Sequence, residues 1–145
     1  MDFFSSMNIS SSALSAERTR MNLISSNLAN ANVTRTPEGG PYKRKDAVFA
    51  ATPVANPFSR VLDGATAQQV RTVGVSEIVE DQNPPRLQYD PSHPDANPQG
   101  YVAMPNVNTV EEMTDMISAT RTYEANVTAV QAAKSMALKT LEIGR

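Results

Sequence analysis

The sequence predicts a mainly α protein with a small β-containing insert, its N- and C-terminal helices paired as an α-helical coiled coil around a central Pro-rich, irregular/β region. All ten prolines fall between Pro37 and Pro105, and five of the six glycines between Gly39 and Gly100. Helix breakers are thus absent from both ends and concentrated in the middle. Residues 106–145, moreover, contain no proline and keep a helical repeat almost to their end. The chain accordingly divides into an N-terminal helix in residues 1–33, a strand-containing Pro/Gly-rich region in residues 34–105, and a C-terminal helix in residues 106–145.

In the first segment Met7, Leu14, Met21 and Leu28 recur at sevens, and Ile24 and Ala31 fill the adjacent seam. Serine and asparagine dominate the other positions, and their side chains compete for the backbone. Such a helix is marginal alone and is expected to order by packing. Its end is expected at residues 30–32, because asparagine tolerates the left-handed conformation in which chains leave helices.

Residues 36–41, TPEGGP, are dense in turn formers. The basic run Lys43, Arg44, Lys45 reads as a solvated loop or strand edge. Residues 69–79 make the best strand, and residues 86–89 and 101–104 make two short ones. The segment between those two carries Pro91, Pro94 and Pro98 and cannot be regular.

The C-terminal helix is expected to start at Thr109, with Glu112 completing a capping box, and to stop at Gly144. Glu111, Glu112 and Asp115 precede Lys134 and Lys139, an order that suits the helix dipole. One seam alternates by three and four through Met113, Met116, Thr120, Tyr123, Val127, Val130, Lys134, Ala137 and Leu141. A second, small and uncharged face holds Ser118, Thr122, Ala125, Ala129, Ala132 and Met136. A helix from residue 109 to 143 is roughly 50 Å long at about 1.5 Å per residue. One partner helix covers only one of its sides, so the second face calls for neighbouring subunits.

A formal net charge of -2 gives no electrostatic footprint for nucleic acid. With no cysteine, disulfides and thiolate metal sites are excluded. No apolar run is long enough for a membrane span, and no basic segment precedes an apolar one at the N-terminus, so export by a cleaved secretory signal is not expected.

Ser26, Asn27, Leu28, Ala29 and Asn30, followed by Thr34, resemble the N-terminal signature of the bacterial flagellar basal-body rod protein family. Residues 4–31 and 113–141 resemble that family's paired terminal helices, which form the inner coiled-coil domain. Residues 40–45 (GPYKRK), 89–95 (YDPSHPD) and 100–107 (GYVAMPNV) narrow the likeness to its proximal-rod branch, as does the long gap between Thr34 and Tyr42. The resemblance implies a structural subunit of the flagellar drive shaft that polymerises through its terminal helices into a tube, transmitting torque and enclosing the export channel. It further implies a periplasmic rod in the basal body and export by the flagellar type III apparatus. The implied partners are copies of the chain, other proximal and distal rod proteins, the rod-base adaptor, the rod cap and that apparatus. No cofactor is implied. In this setting Asn27 and Asn30 set the geometry where the inner helix passes outward; simple helix termination is the other role open to them.

An enzyme is the competing class. The single histidine, His93, lies in the Pro-rich loop without a nucleophile motif or metal-ligand spacing. Glu111 and Glu112, being adjacent, point to different sides of a helix and form no acid/base pair. A cytoplasmic coiled-coil adaptor or export chaperone of the flagellar secretion system would share the paired helices but would not need the Pro-rich insert.

Overall fold

A computed structural model describes residues 3–53 and 71–143. Six elements follow in order: α1 (Phe3–Ala29), β1 (Lys45–Pro53), β2 (Arg71–Glu80), β3 (Arg86–Tyr89), β4 (Tyr101–Met104) and α2 (Thr109–Ile143). Helices therefore flank a strand-containing insert. Gly144, read as the helix stop, and Gln69, read as the start of a strand, lie outside the described residues.

The serine-rich α1 holds because its hydroxyls turn back on their own helix instead of diverting the backbone. Ser12 donates to the Ile9 carbonyl at 2.7 Å, and Thr19 to that of Ser15 at 3.2 Å. Its buried positions are Ala16, Ile24 and Asn27, with Ala31 just beyond. At the exit Asn30 donates to the Ser26 carbonyl from its amide N–H (3.0 Å) and from its side chain (2.8 Å). No non-glycine residue among those described has positive φ, so the chain leaves through successive turns and not through the left-handed asparagine expected. The side-chain bond supplies what a left-handed cap would otherwise supply.

After the turn at Gly39 and Gly40, with φ of 91° and 81°, the Tyr42 N–H returns to the Val33 carbonyl. β1 pairs with β2. Thr52 and Thr72 exchange hydroxyl-to-carbonyl bonds, and the Ser76 hydroxyl reaches the Val48 carbonyl, which is an antiparallel order. β3 and β4 are antiparallel, with Leu87 opposite Ala103 and Tyr89 opposite Tyr101. The two tyrosine rings meet edge to face at 5.3 Å. Alternation turns Val102 into the core and leaves Leu87 and Tyr89 exposed.

At the start of α2 the cap is Asn108 and not Thr109. The Asn108 side-chain oxygen accepts from the Val110 N–H at 3.1 Å, and its carbonyl accepts from the Glu112 N–H at 3.0 Å. Glu112 is consequently free for another task. The expected capping box is absent because its carboxylate is committed elsewhere.

The chain forms two compact units. Among the described residues one comprises 3–19, 48–53, 71–77 and 120–143, the other Arg20–Ala47 and Ile78–Ala119. In the first, the Ser12 hydroxyl accepts from the Val73 N–H at 3.2 Å, fastening β2 to α1. The buried stripe of α2 runs through Glu112 and Ala119 in the second unit and Ala133 in the first. Met116, Tyr123, Val127, Val130 and Ala137 flank it half-buried, whereas Met113, Thr120, Lys134 and Leu141 are exposed. Of the α1 residues read as seam, Leu14, Met21 and Leu28 are half-buried, while Met7 is 37% exposed. The deepest apolar positions of the two helices, Ala16 and Ala119, are alanines, whose short side chains leave room for close contact; a search for large apolar residues passes over them.

A candidate assembly joint around Asn27

The residues of the N-terminal signature gather at one place in the second unit. Asn27 sits on the last turn of α1 and is 1% exposed. Its oxygen accepts from the Lys45 N–H at 3.0 Å and from the Tyr42 hydroxyl at 3.0 Å. Its amide donates to the Lys45 carbonyl at 2.9 Å and to Glu112 Oε2 at 3.1 Å. All four hydrogen-bonding capacities of the side chain are filled. By engaging both main-chain groups of Lys45, Asn27 acts as a one-residue neighbour to the start of β1.

The other carboxylate oxygen of Glu112 accepts from Arg44 Nε. The Glu112 side chain is almost wholly buried and that of Arg44 mostly so. Arg44 also meets Asp46 at 3.2 Å and approaches Asp115 at 3.9 Å. Partial burial works against its charge, but the hydrogen bond and charge of Glu112, and then Asp46, outweigh it and raise Arg44 above its ordinary value. An ion pair so placed holds geometry more than it adds stability. Ordering follows from the alternative, since Glu112 without Arg44 would be an uncompensated charge in the core.

The remaining signature residues surround this centre. The Ser26 hydroxyl lies 3.4 Å from that of Tyr42 and accepts from the Asn30 side chain at 3.4 Å. Leu28 is half-buried and Ala29 exposed. Thr34 donates to Asp95 at 2.8 Å, which ties the signature to the Pro-rich loop. That loop is built from side-chain turns: Asp90 accepts from both Ser92 groups, Asn97 from the Gln99 and Tyr101 N–H, and His93 Nδ1 from the Asp95 N–H at 3.1 Å. His93 is thereby occupied in holding the loop. The two asparagines divide the roles open to them, Asn30 ending the helix and Asn27 joining three segments. Ser118, Thr122, Ala125, Ala129 and Ala132 lie exposed along α2, apart from this cluster in sequence and on another face of the helix.

Arg44 and Glu112 were not legible as members. A basic run reads as solvated and an acid in a first turn reads as a cap; only their juxtaposition across the fold gives them a partner. Among the described residues no group of three His, Cys, Asp or Glu is placed to hold a metal ion.

The family described as Flagella basal body rod protein matches residues 7–35, which span most of α1 and its signature. The family described as Flagellar basal body rod FlgEFG protein C-terminal matches residues 99–143, which span β4 and α2. The insert between these two matches is covered by full-length relatives. The chain is 46% identical to the flagellar basal-body rod protein FlgC of Borreliella burgdorferi, over 99% of this chain and 98% of that one. It belongs to the FlgC family of flagellar basal-body rod proteins. FlgC of Bacillus subtilis is 45% identical over the whole of both chains, and that of Salmonella typhimurium 42% identical over 94% of each. In FlgC terms, the joint draws Asn27 from the first matched segment, Glu112 from the second, and Tyr42, Arg44 and Lys45 from the insert between them. No described helix is long and apolar enough to cross a membrane.

Proposed function

We propose that this FlgC-family chain, a structural subunit of the flagellar rod, polymerises through α1 and α2 into the wall of the proximal rod. In this reading the two helices pair as a coiled coil in the inner domain, residues 1–33 with residues 106–145, and residues 34–105 lie outside it. The observation that carries the proposal is the surface of α2. Val110 is 70% exposed, Met113 and Ile117 56% each, and Leu141 71%, a length of apolar side chain that a solitary helix does not ordinarily leave in water. Copies of the chain and neighbouring rod proteins cover it, with Ala125, Ala129 and Ala132 permitting close approach on the adjoining face. Contacts repeated head to tail need not close into a ring and so build a helical tube.

The remaining parts of the reading follow from this role. The tube transmits torque and surrounds the export channel, the subunit reaches the periplasm through the flagellar type III apparatus, and it meets the rod-base adaptor and rod cap during assembly. It performs no catalysis. A density map of basal bodies from cells carrying this chain tests the proposal. Both helices are expected within the rod wall with the exposed side of α2 covered by neighbours. Density for the chain outside the axis, or an α2 facing solvent within it, would overturn the proposal; so would recovery of the chain as a discrete cytoplasmic oligomer with no rod contribution.

A further inference from the structure

We infer that the Asn27 joint is a three-part latch closed by Glu112, so that the start of β1 stays unformed until the first turn of α2 docks. The reasoning is an accounting of buried polar groups. Asn27 and Lys45 are 18 residues apart and can meet early, whereas Glu112 lies 85 residues beyond Asn27. Without Glu112 the Asn27 amide keeps its bond to the Lys45 carbonyl but loses its second acceptor, and Arg44 loses its buried counter-charge. Burial is tolerable only when those groups are paired. The local pair therefore remains open to water, and weak, until α2 arrives.

The main chain transmits this dependence. Arg44 contributes a guanidinium to Glu112 and a carbonyl to the Asp81 N–H at 2.8 Å, so the same residue ties α2 to the end of β2. Lys45, whose N–H and carbonyl both meet Asn27, is the first residue of β1. One docking event thus orders the end of α1, the start of β1 and the end of β2 together. An N-terminal segment of the chain cannot complete its own junction, and completion is reserved for the moment residue 112 is present.

Amide hydrogen exchange on the full chain tests the latch. In Glu112→Leu, the Lys45 and Asp81 amides are expected to exchange at least tenfold faster. The Asp90 amide, bonded to the Gly100 carbonyl in the hairpin of the same unit, should change by less than threefold. Val102→Ala, a core change in that hairpin, serves as the control and should accelerate Asp90 at least as much as Lys45. Glu112→Gln, which keeps an acceptor for Asn27, should fall between wild type and Glu112→Leu at Lys45. It carries the test by the same ratio if Glu112→Leu does not fold. Equal acceleration at Lys45 and Asp90 in the Glu112 variants would overturn the latch, since it would mark a general loss of stability.

Discussion

Asn27 and Lys45 are joined as two strands are joined, the side-chain amide of one meeting the N–H and the carbonyl of the other at 3.0 and 2.9 Å. A helix therefore hands the chain's geometry directly to a strand that begins 18 residues later. An amide is required there because one side of the contact is a donor and the other an acceptor.

Replacing Asn27 by aspartate keeps the shape and reverses one polarity, which separates chemistry from packing. The new carboxylate still accepts from Lys45 and Tyr42 but sets its second oxygen against the Lys45 carbonyl and Glu112. Asn27→Ala is expected to cost about 3 kcal/mol from stranded partners, and Asn27→Asp about 2 kcal/mol more near pH 7. Repulsion raises the folded-state affinity of the introduced carboxylate for a proton, so stability returns as pH falls and is lost again as pH rises. Urea denaturation of both variants from pH 7 to 4 checks this; a constant gap between them would contradict it.

Arg44→Met leaves Glu112 buried without its counter-charge and should destabilise the chain by about 3–5 kcal/mol. Adding Glu112→Leu removes the stranded charge, and the double variant should recover at least half of that loss. Thermal denaturation of the two single variants and the double variant provides the cycle. Additive losses would mean that the two side chains do not act as a pair.

How much of this could be read from the residues depends on the range of the interaction. Placement of both helices and of β2, β3 and β4 follows local punctuation, so the prolines confined to residues 37–105 and the alternation around Val102 are enough to locate them, whereas β1 (Lys45–Pro53), beginning in a basic run and ending on a proline, carries no such signal. The joint is different. Arg44 lies 68 residues from Glu112, and neither has a local pattern that betrays the other. The buried stripe of α2 is a related case: its centre is set by Ala119 and the buried Glu112, neither of which stands out in a search for large apolar residues at heptad spacing. Thr34 was visible as part of a signature, but its bond to Asp95 was not.

Gly100 holds a φ of 81°, and a Cβ there would lie 2.9 Å from the Tyr89 ring and 3.3 Å from Pro91 Cβ. Both backbone strain and collision oppose a side chain. Gly100→Ala is expected to cost about 1–3 kcal/mol and to disturb the Tyr89–Tyr101 edge-to-face contact. Near-ultraviolet circular dichroism together with a denaturation midpoint would register both effects, and an unchanged midpoint would refute the strain.

The Pro-rich loop has an acid limit. Asp90, bonded by the Ser92 hydroxyl and then by the Ser92 N–H, is held below its ordinary value of 3.8. A depressed carboxyl contributes order that is present above 3.8 and is lost as pH falls through the lower, folded value. The Ser92 amide resonance should therefore titrate with its midpoint below 3.8. In Asp90→Asn that transition should be missing. Movement centred above 3.8 would show that the turn does not favour the ionised form.

The assembly reading places its strictest demand on Ala129, exposed on the small face of α2. Because it touches little in the isolated chain, Ala129→Trp should alter the stability of the free subunit by no more than about 0.5 kcal/mol. In the polymer the same indole must fit between helices whose approach the alanines permit, and overpacking there costs about 1–3 kcal/mol at each repeated contact. Summed along a filament, a small local penalty becomes a failure of assembly. Cells carrying this variant as their only copy should lose most swimming and yield few intact rods, while exported monomer is still recovered. Normal motility with normal rods would mean that no neighbour packs closely against this face.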